Sequence, residues 1–292
     1  MRELISQGVK VQMCVTSPPY FGLRSYGGGS AEIGLERTPD EYVDNLVEVF
    51  RLVRDMLHDD GTLWLNLGDS YAANRGYQVA QTKGGPKHGP AQAAQGRPQK
   101  ASEYGIKPKD LIGIPWRVAF ALQADGWWLR QDIVWHKSNP MPESVTDRCT
   151  KAHEYLFLLS KSERYLFDSE AMKEPAAAPP KPCGPKSDAM RNDSGRTGIV
   201  RGDGETRNRR SVWTVPTKPY SGAHFATFPT ALIEPCILAG SRPGDTVLDP
   251  FLGSGTTGQV AQTLGRKWIG CEHNPKYGPL KDRRTDQSAF VV

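Results

Sequence analysis

The chain has 292 residues, 38% of them hydrophobic, and a formal net charge of +5. That length suits one large domain or two small ones, and no run of 18 apolar residues is present, which excludes a membrane helix. The five cysteines are scattered, with no C-x-x-C pair, against a disulfide framework or a zinc site; with Met1-Arg2-Glu3 in place of an apolar signal core, the expected location is cytoplasmic.

In chain order, Val9 to Val15 is apolar and strand-like, and it leads into Thr16-Ser17-Pro18-Pro19-Tyr20. A glycine-rich loop with Arg24 follows. Thr38 then predicts an N-cap, Pro39 the first helical position and Glu41 a capping box. Val43, Leu46, Val47, Phe50, Val53 and Leu57 recur at helical spacing. Asp59-Asp60-Gly61 should end that helix, and Thr62 to Leu67 reads as a buried strand capped by Gly68-Asp69. Strand, helix, strand is the pattern of a parallel sheet.

From Asn74 to Lys109 there are seven Lys/Arg and one acid, without apolar period; this reads as a long flexible insertion. Pro115 to Ala124 is a predicted helix and Trp127 to Trp135 a strand. Glu154 to Ser160 and Arg164 to Asp168 are expected to pair as a hairpin. Ala171 to Val215 holds nine Lys/Arg against five acids, and its Arg207, Arg209 and Arg210 suit phosphate contact, although a solvated loop accounts for the charge equally well. Pro229 to Ala239 reads as a helix, Thr246 to Leu248 as a buried strand, Gly258 to Leu264 as a helix and Lys267 to Cys271 as a strand ended by Glu272. The spans divide as 1–73 (catalytic half), 74–110 (basic insertion), 111–168 (remainder of the sheet and hairpin), 169–212 (recognition or DNA contact), 213–280 (cofactor half) and 281–292 (tail).

Two stretches carry chemistry. In Thr16 to Tyr20, consecutive prolines fix φ and remove two donors. The rigid turn presents carbonyls, the Ser17 hydroxyl and the Tyr20 ring, a cage for a flat ligand with an exocyclic amine; the same residues also read as an ordinary Pro-rich turn. In Asp249-Pro250-Phe251-Leu252-Gly253-Ser254-Gly255-Thr256-Thr257-Gly258, a Gly-x-Gly turn joins strand to helix, and an acid ends the next strand at Glu272. Glycines let a ligand approach the backbone, and the terminal acid suits ribose hydroxyls. A carboxylate at Asp249 would repel a pyrophosphate and welcome a cation such as the amino group of S-adenosylmethionine.

The string Asp249 to Gly258 resembles the cofactor motif of amino-methylating DNA methyltransferases, and Thr16 to Tyr20 resembles their catalytic motif. Catalytic motif first and cofactor motif last is the permuted order of the β class. The resemblance implies a Rossmann-like α/β fold, doubly wound on a mostly parallel sheet, with a recognition insert. It implies S-adenosylmethionine as cofactor, with Asp249, Phe251, Gly253, Ser254, Gly255 and Thr256 at its methionine end and Glu272 at its ribose. Phe225 and Ala226, in His224 to Pro229, match a further cofactor segment, and Asp69 would close the pocket's far side. Ser17 and Pro18 would accept the N–H groups of a target amine while Pro19 shapes the turn, and Tyr20 would stack on a base flipped out of the duplex.

Ser before Pro-Pro-Tyr is typical of cytosine-N4 enzymes and Asp of adenine-N6 enzymes. The resulting expectation is a site-specific cytosine-N4 enzyme; adenine-N6 chemistry on the same scaffold, or an impaired DNA-binding relative, are its rivals. Double-stranded DNA is the expected partner, with Arg24, Arg207, Arg209 and Arg210 as contacts, a restriction endonuclease as a cognate activity, and a monomeric or homodimeric state. Pro182-Cys183 resembles the nucleophile dipeptide of ring-carbon cytosine enzymes, but its place in a basic Pro-rich stretch reads as a loop. The histidines match no metal-ligand spacing. Only 15 residues precede Thr16, where the family usually has a further strand and Gly-Asp pair; that part of the adenine pocket is expected to be missing or to come from Ser288 to Val292.

Overall fold

The computed structural model describes residues 1–22, 32–72, 106–176, 205–217 and 228–273. Its elements run α1 (Arg2–Ser6), β1 (Val11–Thr16), α2 (Pro39–Met56), β2 (Leu57–Leu67), α3 (Ile114–Ala124), β3 (Trp128–His136), β4 (His153–Ser160), β5 (Lys173–Pro175), β6 (Thr206–Asn208), β7 (Val212–Thr214), α4 (Thr230–Gly240), β8 (Thr246–Asp249), α5 (Thr256–Thr263) and β9 (Lys267–Gly270). No helix among the described residues is long and apolar enough to cross a membrane.

Seven strands form one sheet in the order β7-β3-β4-β2-β1-β8-β9. β1 pairs in parallel with β2 and β8, β8 with β9, and β3 with β7. β4 alone is inverted, antiparallel to both β2 and β3. The sheet is therefore mostly parallel, as the strand–helix alternation requires. Helices α2 and α3 pack on one face, with Leu46, Phe50, Val118 and Leu122 against Leu63, Leu65 and Phe157. Helices α4 and α5 cover the other, where Ile233, Ile237 and Val260 join Met13, Trp64 and Val247. β1, β2, β4 and β8 are buried from both sides, which is why they read as continuous apolar runs rather than alternating ones.

The α2 cap forms as predicted: Thr38 Oγ1 accepts from Glu41 N at 3.1 Å. Glu41 closes the box one residue further back, accepting from Arg37 N at 2.9 Å. The helix ends three residues earlier than Asp59, because Leu57 already pairs with Val11 and the Asp59-Asp60-Gly61 triplet is drawn into β2. The expected hairpin is a correction. Residues 164–168 form no strand, since β4 is already bonded along both edges by β2 and β3. Instead the chain crosses the end of the sheet, with Leu166 N donating to Asp60 O and Asp168 N to Ala239 O, both at 2.8 Å. Ala171 to Val215 is not all loop: among its described residues β5 and β6 pair antiparallel, and β7 extends the sheet.

The predicted insertion falls mostly on residues 73–105, outside the described set. Its two ends are joined. Ile112 N donates to Ser70 O at 3.0 Å, Ala72 N to Asp110 O and Lys109 N to Ala72 O at 2.8 Å, and Tyr71 bridges Leu111.

Candidate active site

The winding of the sheet reverses between β1 and β8. From β1 the chain crosses over through α2 on one face to β2; from β8 it crosses through α5 on the opposite face to β9. In doubly wound sheets this switch point opens a crevice outside the carboxyl ends of the strands, where ligands bind. Ser17 to Tyr20 leave β1 at that point and Asp249 to Gly255 leave β8. The two stretches are 229 residues apart from Tyr20 to Asp249 in sequence and adjacent in space.

A buried carboxylate joins them. Asp249 Oδ1 accepts from Thr16 Oγ1 at 2.6 Å and from Phe251 N at 3.0 Å, and Oδ2 accepts from Thr257 Oγ1 at 2.6 Å. Asp249 is 2% exposed. Burial disfavours its charge and raises its pKa to about 6 against the opposing pull of these hydrogen bonds. The residue expected to face a ligand's ammonium is thus turned inward, stapling β1 to the turn after β8.

That turn is held by its own side chains. Gly253 and Gly255 adopt φ of 51° and 85°, left-handed values that glycine takes freely. Gly253 N donates to Glu272 Oε2 at 2.8 Å, and Leu252 N to Cys271 O at 3.0 Å. Ser254 and Thr256 are 3% and 5% exposed, so they offer a ligand little but backbone. Phe251 is half-buried at the rim, and Gly255 caps α5 without a side chain, leaving a helix N-terminus suited to a carboxylate. A glycine-lined turn, an aromatic rim and Glu272 at the end of the neighbouring strand fit the methionine and ribose parts of S-adenosylmethionine. Phe225, Ala226, Arg24, Cys183 and Ser288 to Val292 lie outside the described residues.

On the β1 side, Pro18 is buried and Ser17, Pro19 and Tyr20 are half-buried. The Pro19 carbonyl accepts from Tyr42 Oη at 2.8 Å, so of the two proline carbonyls expected to be free, Pro19's is engaged and Pro18's has no hydrogen-bond donor among the described residues. The Tyr20 ring lies flat on Gly68: a Cβ there would come within 2.5 Å of Tyr20 Cε2. Tyr20 Oη donates to Glu154 Oε2 at 2.6 Å and lies 3.1 Å from Asn66 Oδ1; Ser17 Oγ donates to Tyr20 Oη at 3.4 Å. Burial, then the Glu154 charge, push the Tyr20 phenol well above its usual pKa. Lys137 Nζ pairs with the other Glu154 oxygen, Oε1. Because β4 is inverted, its N-terminal residues His153 and Glu154 meet the C-terminal ends of β1 and β2.

Asp69 acts on structure. Its Oδ1 accepts from Ser70 N at 2.9 Å and from Gly113 N and Ile114 N at 3.0 Å. It caps α3, whose own N-cap residue is Gly113. Lys151 Nζ donates to Asp69 O at 2.9 Å, and burial lowers the Lys151 pKa. Three residues of the site were missed in the sequence: Asn66, Lys137 and Glu154. A usable signal was present at Asn66, a polar residue inside an otherwise apolar strand, which must be hydrogen-bonded when buried.

The three arginines stand elsewhere. They precede β7, whose far end, Thr214, pairs with His136, so they approach from the side away from the crevice. Arg207 Nε and Arg210 Nε donate to Glu174 Oε1 at 2.9 and 2.8 Å, tying β6 to β5. Arg209 stacks on Trp213, 5.2 Å from the ring centroid, beside a cavity of about 190 Å³ lined by Trp64, Ile133, Met172 and Trp213. Arg210 keeps 70% of its side chain exposed.

Compared with known proteins, residues 11–280 match the DNA methylases of the N6/N4 type. The chain belongs to the N6/N4 DNA methylase family. This DNA methylase is 51% identical over 268 residues to the type II methyltransferase M.Cfr9I of Citrobacter freundii, covering 91% of this chain and 78% of that one. It is 50% identical over 284 residues to the type II methyltransferase M.XycI of Xanthomonas campestris pv. cyanopsidis, covering 97% and 84%. Its fold matches that of the PvuII DNA methyltransferase (cytosine-N4-specific), with a TM-score of 0.62 at 22% identity over 99% of this chain and 83% of that one. It also matches a putative DNA modification methylase of Thermus thermophilus solved with S-adenosyl-L-methionine, with a TM-score of 0.58 at 22% identity over 100% and 92%. The chain is a type II DNA methyltransferase of the N4/N6 group, and membership carries S-adenosylmethionine as methyl donor.

Proposed function

We propose that this methylase transfers a methyl group from S-adenosylmethionine to the exocyclic N4 amine of cytosine in duplex DNA. The observation that carries the reading is the serine at the switch point. Ser17, the Pro18 carbonyl, which meets no donor among the described residues, and the Tyr20 ring follow directly on the Thr16–Asp249 bond, beside the cofactor turn. Serine at this position is typical of cytosine-N4 enzymes in the family, and the PvuII neighbour is named as cytosine-N4-specific.

The amine of cytosine is a poor nucleophile because its lone pair is delocalised into the ring. Ser17 Oγ and the Pro18 carbonyl accept its two N–H groups, which returns electron density to nitrogen and favours tetrahedral geometry. S-adenosylmethionine supplies an electrophilic methyl group on a sulfonium. Phe251, the Gly253–Gly255 backbone and Glu272 hold it, and Tyr20 holds the base in face-to-face contact, so positioning supplies most of the acceleration. A paired base cannot reach a turn set in this crevice and must be flipped out. Of Arg207, Arg209 and Arg210, Arg210 has the most side chain left exposed to meet a phosphate, on the side away from the crevice.

The test is incubation of the protein with labelled S-adenosylmethionine and unmethylated plasmid DNA, digestion to nucleosides and mass spectrometry. N4-methylcytidine as the deoxynucleoside is expected; N6-methyldeoxyadenosine would replace the cytosine assignment. Ser17→Ala should lower turnover and spare cofactor affinity, and loss of cofactor binding instead would overturn the role given to Ser17.

A further inference from the structure

A serine differs from an aspartate as an acceptor because its oxygen also carries a proton. If that proton points at the target amine, the group repels the N–H it should accept. Something must turn the Ser17 hydroxyl away. We infer that Glu154 is a positioning residue that sets the direction of the hydrogen-bond chain Ser17→Tyr20→Glu154, so that Ser17 meets the amine as an acceptor. The inference deepens the reading above and rests on it.

The direction follows from the groups around Tyr20 Oη. Glu154 Oε2 lies 2.6 Å away, and an ionised carboxylate only accepts. Asn66 Oδ1 lies 3.1 Å away on the same phenol. The Asn66 amide has one orientation, because its Nδ2 donates to the Tyr155 carbonyl at 3.1 Å and to Glu154 Oε2 at 3.2 Å; reversed, it would set oxygen against oxygen. Tyr20 Oη therefore faces two acceptors and has one proton, which it gives to the nearer. Its lone pairs are left to receive a donor, and the Ser17 hydroxyl, 3.4 Å away, is that donor. With its proton so directed, Ser17 Oγ has only lone pairs to offer on its remaining sides. Asn66 is 1% exposed, and the Glu154 and Lys137 side chains are 12% and 20% exposed, so water does not readily substitute at the Glu154 end of the chain. Lys137 occupies the second Glu154 oxygen and fixes which oxygen faces the phenol.

The experiment compares wild type, Glu154→Gln and Tyr20→Phe in single-turnover methyl transfer from labelled S-adenosylmethionine to DNA, with cofactor and DNA dissociation constants and thermal midpoints measured on the same samples. Tyr20→Phe keeps the ring and removes the relay hydroxyl. Glu154→Gln keeps size but, with its oxygen held by Lys137, presents an amide N–H where the phenol had its nearer acceptor, leaving only Asn66 Oδ1 at 3.1 Å to hold the phenol proton and so loosening the direction of the chain. The expected result is a transfer rate lowered about tenfold or more in both variants, with both dissociation constants within about twofold of wild type. Transfer by either variant at the wild-type rate overturns the inference, as does a loss of rate accompanied by an equal loss of DNA or cofactor affinity, which marks a structural role. If Glu154→Gln does not fold, Tyr20→Phe decides alone. Wild-type transfer to an amine reports on the proposed function separately: its absence removes that reading, whereas its presence with fully active variants removes only this one.

Discussion

Asp249→Asn should make the stability of this methylase less dependent on pH. The carboxyl is buried, and its pKa is raised from the ordinary 3.8 to about 6. A raised carboxyl keeps its proton in the folded protein while the unfolded chain has already lost it. Its contribution is therefore most favourable below pH 3.8, falls as pH rises toward 6, and stays at its least favourable value above that. At about 1.4 kcal/mol per pH unit, the difference amounts to about 3 kcal/mol. Asparagine carries no charge at any of these pH values. Its oxygen can still accept from Phe251 N, and the Thr16 and Thr257 hydroxyls can rotate to meet its amide. Urea unfolding of both proteins at pH 4.5, 6 and 7.5 and fixed ionic strength should show the variant gaining on wild type by about 2 kcal/mol across that range, the part of the difference that lies above pH 4.5. A stability difference that stays flat with pH would refute the reasoning. Isothermal titration with S-adenosylmethionine on the same samples separates two roles: a staple leaves affinity nearly intact in the variant, whereas a direct partner of the ligand's ammonium loses it.

Three further outcomes are expected. Gly68→Ala puts a methyl group within 2.5 Å of a ring whose hydroxyl is anchored, so single-turnover transfer should fall at least about tenfold while cofactor affinity holds; an unchanged rate would show that the ring is free to move. Asp69→Ala leaves the backbone N–H groups of Gly113 and Ile114 without their acceptor and should cost about 1–2 kcal/mol in urea unfolding, with Asp69→Asn recovering most of it; equal stability of Asp69→Ala would remove the capping role. Replacing Arg207, Arg209 and Arg210 together should weaken DNA binding and flatten its salt dependence, with Arg210→Ala alone lowering the slope by about one; a slope unchanged in the triple variant would take this stretch out of the DNA interface.

The hydrophobic period of α2 and the apolar runs of β1, the second half of β2 and β8 were legible because these stretches turn buried faces to the core, and burial is what residue type reports. The two motifs were legible because their glycines and prolines restrict the backbone locally. What escaped was non-local. Glu154 was read as the start of a strand; that it meets Tyr20 follows from the inversion of β4, which no property of residues 153–160 announces. Asp69 was read as part of the pocket, and its capping of α3 depends on a partner beyond a long excursion. The hairpin at Arg164 to Asp168 failed because a polar three-residue turn between two short apolar runs carries no information on whether the first run has an edge left to offer.

The chain departs from the sheet after Ala72 and is back at the same spot by Asp110, its exit and return buttoned together by Ser70–Ile112 and Ala72–Asp110. An excursion closed at its neck is thermodynamically almost indifferent to its own length, since doubling a loop costs only about 0.6 kcal/mol. Residues 70–72 and 109–112 thus form a closed neck. Variants that lengthen or shorten the chain between Ala72 and Ile106 are therefore expected to leave the switch-point crevice unchanged.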